Sequence, residues 1–152
     1  MAMHRFRFES LLDLARQREE QRMREVAALI ARQQAAQDRL DGLAALREEL
    51  TAGLAANAVT GVMDPARYGE TVAYIDHLGT AMAEQAQVVQ AAAAEVETAR
   101  QALVDALQER RSLEILEERD AADAALAASR REDGRVDDLD TQRFARRGQG
   151  GE

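Results

Sequence analysis

Apolar residues recur in the first part of the chain at spacings that alternate between four and three. The series comprises Phe8, Leu12, Ala15, Glu19, Arg22, Val26, Leu29, Gln33, Ala36, Leu40, Leu43, Arg47, Leu50 and Leu54. This repeat is typical of a coiled-coil seam, where one stripe of a helix packs against a neighbouring helix. The polar members can lie across the seam with their charged or amide groups in water. The pattern predicts a first helix over about residues 8–56.

A second series follows the same rule. It comprises Tyr68, Val72, Ile75, Gly79, Met82, Ala86, Val89, Ala93, Val96, Arg100, Leu103 and Leu107. Beyond it the apolar positions move to Leu113 and Leu116, which indicates a local change in supercoil. The pattern predicts a second helix over about residues 65–145, and a disordered tail over residues 146–152.

The segment between the two helices, about residues 57–64, ends at the only proline of the chain. Asp64 can accept hydrogen bonds from free N–H groups of a first helical turn, and Pro65 fits the first helical position. Asn57 and Gly61 tolerate the left-handed backbone that ends a helix. A loop this short folds the second helix back along the first. The predicted fold class is all-α: a single domain forming a long antiparallel two-helix coiled-coil hairpin.

The two predicted helices differ in length. Pairing centred near Gly61 places Phe8 opposite Glu114, so residues from about Ile115 to Ala145 have no partner on the first helix. A lone helix of that length is marginal in water. The sequence therefore predicts a C-terminal helical overhang that frays in the isolated monomer and is stabilised by a partner.

Composition narrows the range of functions. The net charge is −8, all 20 basic residues are arginine and no basic stripe emerges, which argues against nucleic-acid binding. Cysteine is absent, so no disulfide or thiol chemistry is expected. No apolar run is long enough to span a bilayer, and Met1 to Phe8 lacks the apolar core of a secretory signal. These features predict a cytosolic protein.

Signals for an enzyme are missing. The two histidines are His4, in the predicted frayed start, and His77, which is interpreted as a surface or partner-facing residue. Their surroundings match no recognised metal spacing, and there is no glycine-rich phosphate loop. A two-helix hairpin also lacks an enclosed pocket. The sequence predicts no catalytic residue, no cofactor and no metal site.

Apolar residues near the turn offer a candidate binding surface. Leu43, Leu46 and Leu50 lie on the first helix, while Tyr74 and Leu78 lie on the second. Leu46 and Tyr74 stand beside the predicted seam. They form either an exposed apolar strip that docks a partner or a thickening of the seam, and the spacing alone leaves both interpretations open.

The chain resembles the FliJ family, the small coiled-coil component of the bacterial flagellar type III export apparatus. The resemblance begins at Phe6-Arg7-Phe8-Glu9-Ser10-Leu11-Leu12-Asp13-Leu14-Ala15-Arg16. It continues through Arg67-Tyr68 and Tyr74, then through Glu109-Arg110-Arg111-Ser112-Leu113-Glu114. It ends at Leu139-Asp140-Thr141-Gln142-Arg143-Phe144 and so covers nearly the whole chain.

The resemblance implies a function as well as a fold. Members resemble the central stalk of rotary ATPases, insert the end carrying both termini into the hexameric export ATPase FliI, contact the export gate protein FlhA and handle emptied export chaperones. The implied location is cytoplasmic, peripheral at the inner-membrane export apparatus. The implied gate-contacting residues are Arg39, Leu43, Leu46, Leu50, Tyr74, Leu78, Ala81 and Gln85. The alternatives are an injectisome stalk of the YscO type and a purely structural coiled-coil spacer or scaffold.

Overall fold

The computed structural model describes residues 6–61 and 63–150, and its regular structure there consists of two long helices. Helix α1 spans Glu9–Thr60 and helix α2 spans Pro65–Gly148. The prediction of an all-α, two-helix hairpin is confirmed. The chain forms two compact units. Unit 1 joins the start of α1, up to Arg18, to α2 from Ala106 onward, and unit 2 comprises Glu19–Asp105 with the turn.

Helix α1 ends later than the pattern predicted, because Asn57 continues the helix. The backbone N–H of Gly61 donates to the carbonyl of Asn57 at 3.0 Å, and the Thr60 hydroxyl donates to the carbonyls of Ala56 and Asn57. Gly61 has a φ of 66°, the left-handed conformation that glycine adopts without steric cost. Gly61, rather than Asn57, therefore terminates α1.

Helix α2 begins where the sequence predicts. The backbone N–H of Ala66 donates to Oδ1 of Asp64 at 3.3 Å, and the N–H of Tyr68 donates to the Asp64 carbonyl at 3.0 Å. Asp64 is thus the N-cap, with Pro65 in the first helical position. At its other end α2 continues to Gly148, so residues 146–148, assigned above to a disordered tail, are helical.

The segment before α1 is a turn held by aromatic contacts. The rings of Phe6 and Phe8 meet edge to face with centroids 5.8 Å apart, and the Arg7 guanidinium lies 5.6 Å from the Phe8 centroid. The N–H of Glu9 donates to the Phe6 carbonyl at 3.2 Å. The predicted frayed start at His4 lies outside the described residues.

The predicted seam of α1 coincides with its shielded side chains. Buried or half-buried members are Leu12, Ala15, Glu19, Val26, Leu29, Gln33, Ala36, Leu40, Leu43, Leu50 and Leu54. Phe8, Arg22 and Arg47 are exposed. The Arg47 guanidinium reaches across unit 2 to Gly79, where a Cβ would lie 3.6 Å from its central carbon. This contact shows how a charged residue occupies a seam position without burying its charge.

The predicted seam of α2 is displaced at alternate positions, where the residue before the predicted one is equally or more shielded. The shielded series is Thr71, Ile75, Leu78, Met82, Gln85, Val89, Ala92, Val96, Ala99, Leu103, Ala106, Arg110, Leu113, Glu117, Asp120 and Ala124. It shares alternate members with the prediction. At the other positions it takes the residue before the predicted one, such as Ala92 before Ala93 and Ala99 before Arg100, while Gly79, Ala86 and Leu107 are also half-buried. The spacing stays regular through Leu113 and Leu116 is exposed, so the change in supercoil stays a prediction.

The error has a physical cause in the alanines of α2. Ala92, Ala99 and Ala106 occupy the same position in three successive heptads of the seam. Ala99 and Ala106 are buried. Alanine occurs on every side of this helix, so its apolar pattern does not distinguish one stripe from the next. Small residues in a seam allow the two backbones to approach closely.

The overhang also begins later than predicted. Since α1 ends at Thr60 and α2 begins at Pro65, pairing is centred beyond Gly61, and Phe6 before α1 is itself half-buried. Shielded positions on α2 continue to Ala124, whereas every described residue from Ala125 onward is exposed. The exposed stretch of α2 thus starts at Ala125 instead of near Ile115.

Candidate protein-binding surfaces

A cross-helix ion pair in unit 2 defines which side chains share one flank of the helix pair. Arg32 and Glu95 approach to 3.9 Å, and each directly precedes a seam residue, Gln33 or Val96. In unit 1, Arg18 and Glu109 occupy equivalent positions and approach to 3.0 Å. Within each unit, residues that precede these alternate seam positions therefore face each other across the helix pair.

Four of the predicted gate-contacting residues fall on this flank in unit 2. They are Arg39, Leu46, Tyr74 and Ala81, which precede the seam residues Leu40, Arg47, Ile75 and Met82. We call these four residues the flank patch. Leu46 is 37% exposed and Tyr74 is 47% exposed, while Ala81 is half-buried. The structure thus brings both helices' contributions to one side, where two large apolar side chains are open to solvent.

The other four predicted residues lie in the seam. Leu43 and Leu50 are half-buried, and Leu78 is only 3% exposed. Leu78 is therefore part of the core of unit 2, which favours the interpretation that it belongs to the seam over an exposed strip. Gln85 is also a seam residue, because its side-chain amide donates to the Ala36 carbonyl at 3.0 Å across the helix pair. These four residues therefore lie in the seam and are not members of the flank patch.

His77, predicted from the sequence to be a surface or partner-facing residue, is a neighbour of the flank patch. Its ring stacks on that of Tyr74, with centroids 6.3 Å apart and an interplanar angle of 27°. Aromatic residues three apart on a helix meet in this way and restrict each other's motion. The spacing of Tyr74 and His77 was the signal that could have revealed the pair.

A second exposed surface lies in unit 1, on α2 beyond Ala124. The large apolar side chains there are exposed: Leu126, Val136, Leu139 and Phe144, the last of them 82% exposed. Arg146 and Arg147 lie in the last turn of the helix, where positive charge complements the helix dipole. This surface is a long single helix with apolar side chains that no described residue covers.

Unit 1 also contains a charged cluster that ties its two helices together. The Glu114 carboxylate accepts from Arg110 at 2.8 Å, lies 3.5 Å from Arg111 and approaches Arg16 of α1 to 3.9 Å. The hydrogen bond from Arg110, with help from Arg111 and Arg16, lowers the pKa of Glu114 below its ordinary value of 4.5. The cluster thus links α1 and α2 within unit 1.

Within residues 6–61 and 63–150, no group of three or more His, Asp or Glu side chains is arranged to hold a metal ion. Neither described helix contains a stretch long and apolar enough to cross a membrane.

The paired helices and their exposed flanks define a coiled-coil protein whose surfaces are suited to binding other proteins. A family model described as "Flagellar FliJ protein" matches residues 3–149. The chain therefore belongs to the FliJ family, a component of the flagellar type III export apparatus. Neither a curated protein nor a solved structure shows significant similarity to the chain.

Proposed function

We propose that the protein is the central stalk of the flagellar export ATPase ring and links that ring to the export gate, at the cytoplasmic face of the inner membrane. The observation that carries this proposal is the exposed end of α2, from Ala125 to Gly148. An unsupported helix of this length is marginal in water. A ring that encloses it covers Leu126, Val136 and Leu139 and so stabilises the helix.

The stalk acts on the ATPase by binding, without chemistry of its own. A ligand shifts a conformational equilibrium only through its different affinities for the two states. A helix seated in the ring stabilises those ring conformations that fit it best, and so changes the rate of ATP hydrolysis. The apolar and arginine side chains of α2 beyond Ala124 supply the contacts.

The gate contact is assigned to the flank patch of unit 2. Leu46 and Tyr74 are its anchors, since large exposed apolar side chains dominate the affinity of such surfaces. Emptied export chaperones are the third class of partner, by analogy with the family. The flank patch belongs to unit 2 and the exposed end of α2 to unit 1. One chain therefore offers separate surfaces to the export gate protein and to the export ATPase.

The ATPase part of this proposal is tested by truncation. A variant that lacks residues from 125 onward removes the exposed end of α2 and leaves the shielded series through Ala124. We expect this variant to lose stimulation of ATP hydrolysis by the purified export ATPase. Circular dichroism checks that the remaining pair is still helical.

The double variant Leu46→Ala, Tyr74→Ala is the matched control, because it changes two exposed apolar residues in unit 2 and leaves α2 beyond Ala124 intact. It should stimulate the ATPase as the full chain does. Undiminished stimulation by the truncated chain would show that the end of α2 is not the ATPase contact.

A further inference from the structure

Each helix contains two glycines in the part nearer the turn. Helix α1 contains Gly42 and Gly53, and α2 contains Gly69 and Gly79; elsewhere in the two helices glycine occurs only at Gly134 and at the terminal Gly148. Counted from the turn, Gly53 matches Gly69 and Gly42 matches Gly79 to within about one helical turn. Both helices are thus weakened at two corresponding levels, since glycine is among the poorest helix formers.

Packing does not explain these glycines. A Cβ added at Gly42, Gly53 or Gly69 would meet nothing within 4 Å. At Gly79 it would meet the Arg47 guanidinium at 3.6 Å, an ordinary van der Waals distance. An alanine side chain therefore fits at all four positions. What these glycines change is the conformational freedom of the backbone, which is larger for glycine than for alanine.

The turn end of unit 2 is also poorly buried. We call the described residues 53–61 and 63–69 the tip segment. Among its described residues only Leu54 and Met63 are half-buried, while Val59 is 89% exposed and Tyr68 is 49% exposed. The cross-helix contacts of Gln85 with Ala36 and of Arg47 with Gly79 lie outside the tip segment. Few buried apolar contacts mean a low free energy of local opening.

We propose that the tip segment opens as a separate local unit while the remainder of unit 2 stays paired, with Gly53 and Gly69 as its hinges. The seam residues Ile75 and Leu78 lie beyond the hinge and keep the two helices together during opening. The flank patch also lies outside the tip segment and stays folded. The local opening of the tip segment does not depend on the proposed gate contact.

Amide hydrogen exchange of the full chain, followed by mass spectrometry, tests the proposal. Amides of residues 54–60 are hydrogen-bonded within α1, yet they should exchange at least about ten-fold faster than those of residues 33–43. The double variant Gly53→Ala, Gly69→Ala should slow exchange at residues 54–60 by about twenty-fold, since each change favours the helix about four- to five-fold. Exchange at residues 33–43 should stay the same.

Gly134→Ala is the matched control, because it makes the same chemical change in the exposed part of α2. It should leave exchange at residues 54–60 unaltered. Three results would overturn the proposal: equal protection of residues 54–60 and 33–43 in the unaltered protein, equal slowing of both regions in the double variant, and no slowing at all.

Discussion

The side-chain amide of Gln85 donates a hydrogen bond to the backbone carbonyl of Ala36, 3.0 Å away on the other helix. The bond is partly buried and lies in the seam of unit 2. The family resemblance implies that Gln85 contacts a partner, whereas this hydrogen bond links the two helices and stabilises the pair. The residue therefore offers a way to separate folding from binding.

Replacing Gln85 by alanine should lower the free energy of unfolding by about 1–2 kcal/mol, because the cross-helix bond and the packing of the side chain are both lost. Urea unfolding followed by circular dichroism measures the change. Gln87→Ala is the control, since Gln87 is exposed and its loss should change stability by less than about 0.5 kcal/mol. Equal stability of the two variants would show that the Gln85 bond contributes nothing.

The double variant Leu46→Ala, Tyr74→Ala should weaken binding to the export gate protein by about a hundred-fold, because truncation of a partner-buried anchor typically costs a few kcal/mol. Its melting temperature should hardly change, since both side chains are substantially exposed. Calorimetric titration with the cytoplasmic part of the gate protein measures the affinity.

Two comparisons make that result specific. Ile30→Ala with Val72→Ala alters exposed apolar residues that follow seam positions, on the opposite flank, and should leave gate binding intact. Leu78→Ala should instead lower stability by about 2–4 kcal/mol, because it opens a cavity in the seam. Unchanged gate binding by the Leu46 and Tyr74 variant would remove the flank patch from the gate contact.

The Glu114 cluster should make the stability of unit 1 depend on pH in the acid range. Its folded-state pKa is lowered, chiefly by Arg110, so its stabilising effect is complete above the unfolded-state value and is lost as pH falls through the folded-state value. Glu114→Gln should therefore lower the melting temperature at about pH 7 and have a much smaller effect at about pH 3. Glu97→Gln, on an exposed face, controls for the loss of one negative charge. A Glu114→Gln effect that is the same at both pH values would contradict the cluster's role.

The cap of α2 should be sensitive to the side chain of Asp64. Asp64→Ala removes the acceptor for the Ala66 N–H and should destabilise the start of α2 by about 1 kcal/mol. Asp64→Ser keeps an acceptor and should restore most of that loss. Faster hydrogen exchange at residues 69–72 in the alanine variant alone would report the effect; identical exchange in both variants would exclude the cap.

The helix boundaries and the seam are predictable from the sequence where single residues have strong local effects. Asp64 and Pro65 fixed the start of α2, because a capping carboxylate and a proline are favoured at these positions for separate reasons. Leucines and valines identified the α1 seam, because they alternate with polar residues. Alanine in α2 gave no such contrast, and the seam was misplaced by one residue at alternate positions.

The candidate surfaces were predictable only in part. The flank residues Leu46 and Tyr74 were recognised from their places beside the seam, but Leu78 was not recognised as core because the misplaced register put Gly79 there. The extent of the overhang depended on where pairing is centred and on how the chain before α1 packs. Both are properties of the folded turn and terminus, which local sequence preferences do not determine.

The exposure of Tyr68 and Tyr74 gives the protein a built-in optical probe. The chain contains no tryptophan and only these two tyrosines, which are 49% and 47% exposed in unit 2. All of its tyrosine fluorescence therefore arises from a short stretch of α2. Quenching of that emission by dissolved iodide reports, with no label attached, on the solvent exposure of Tyr68 in the tip segment and of Tyr74 in the flank patch.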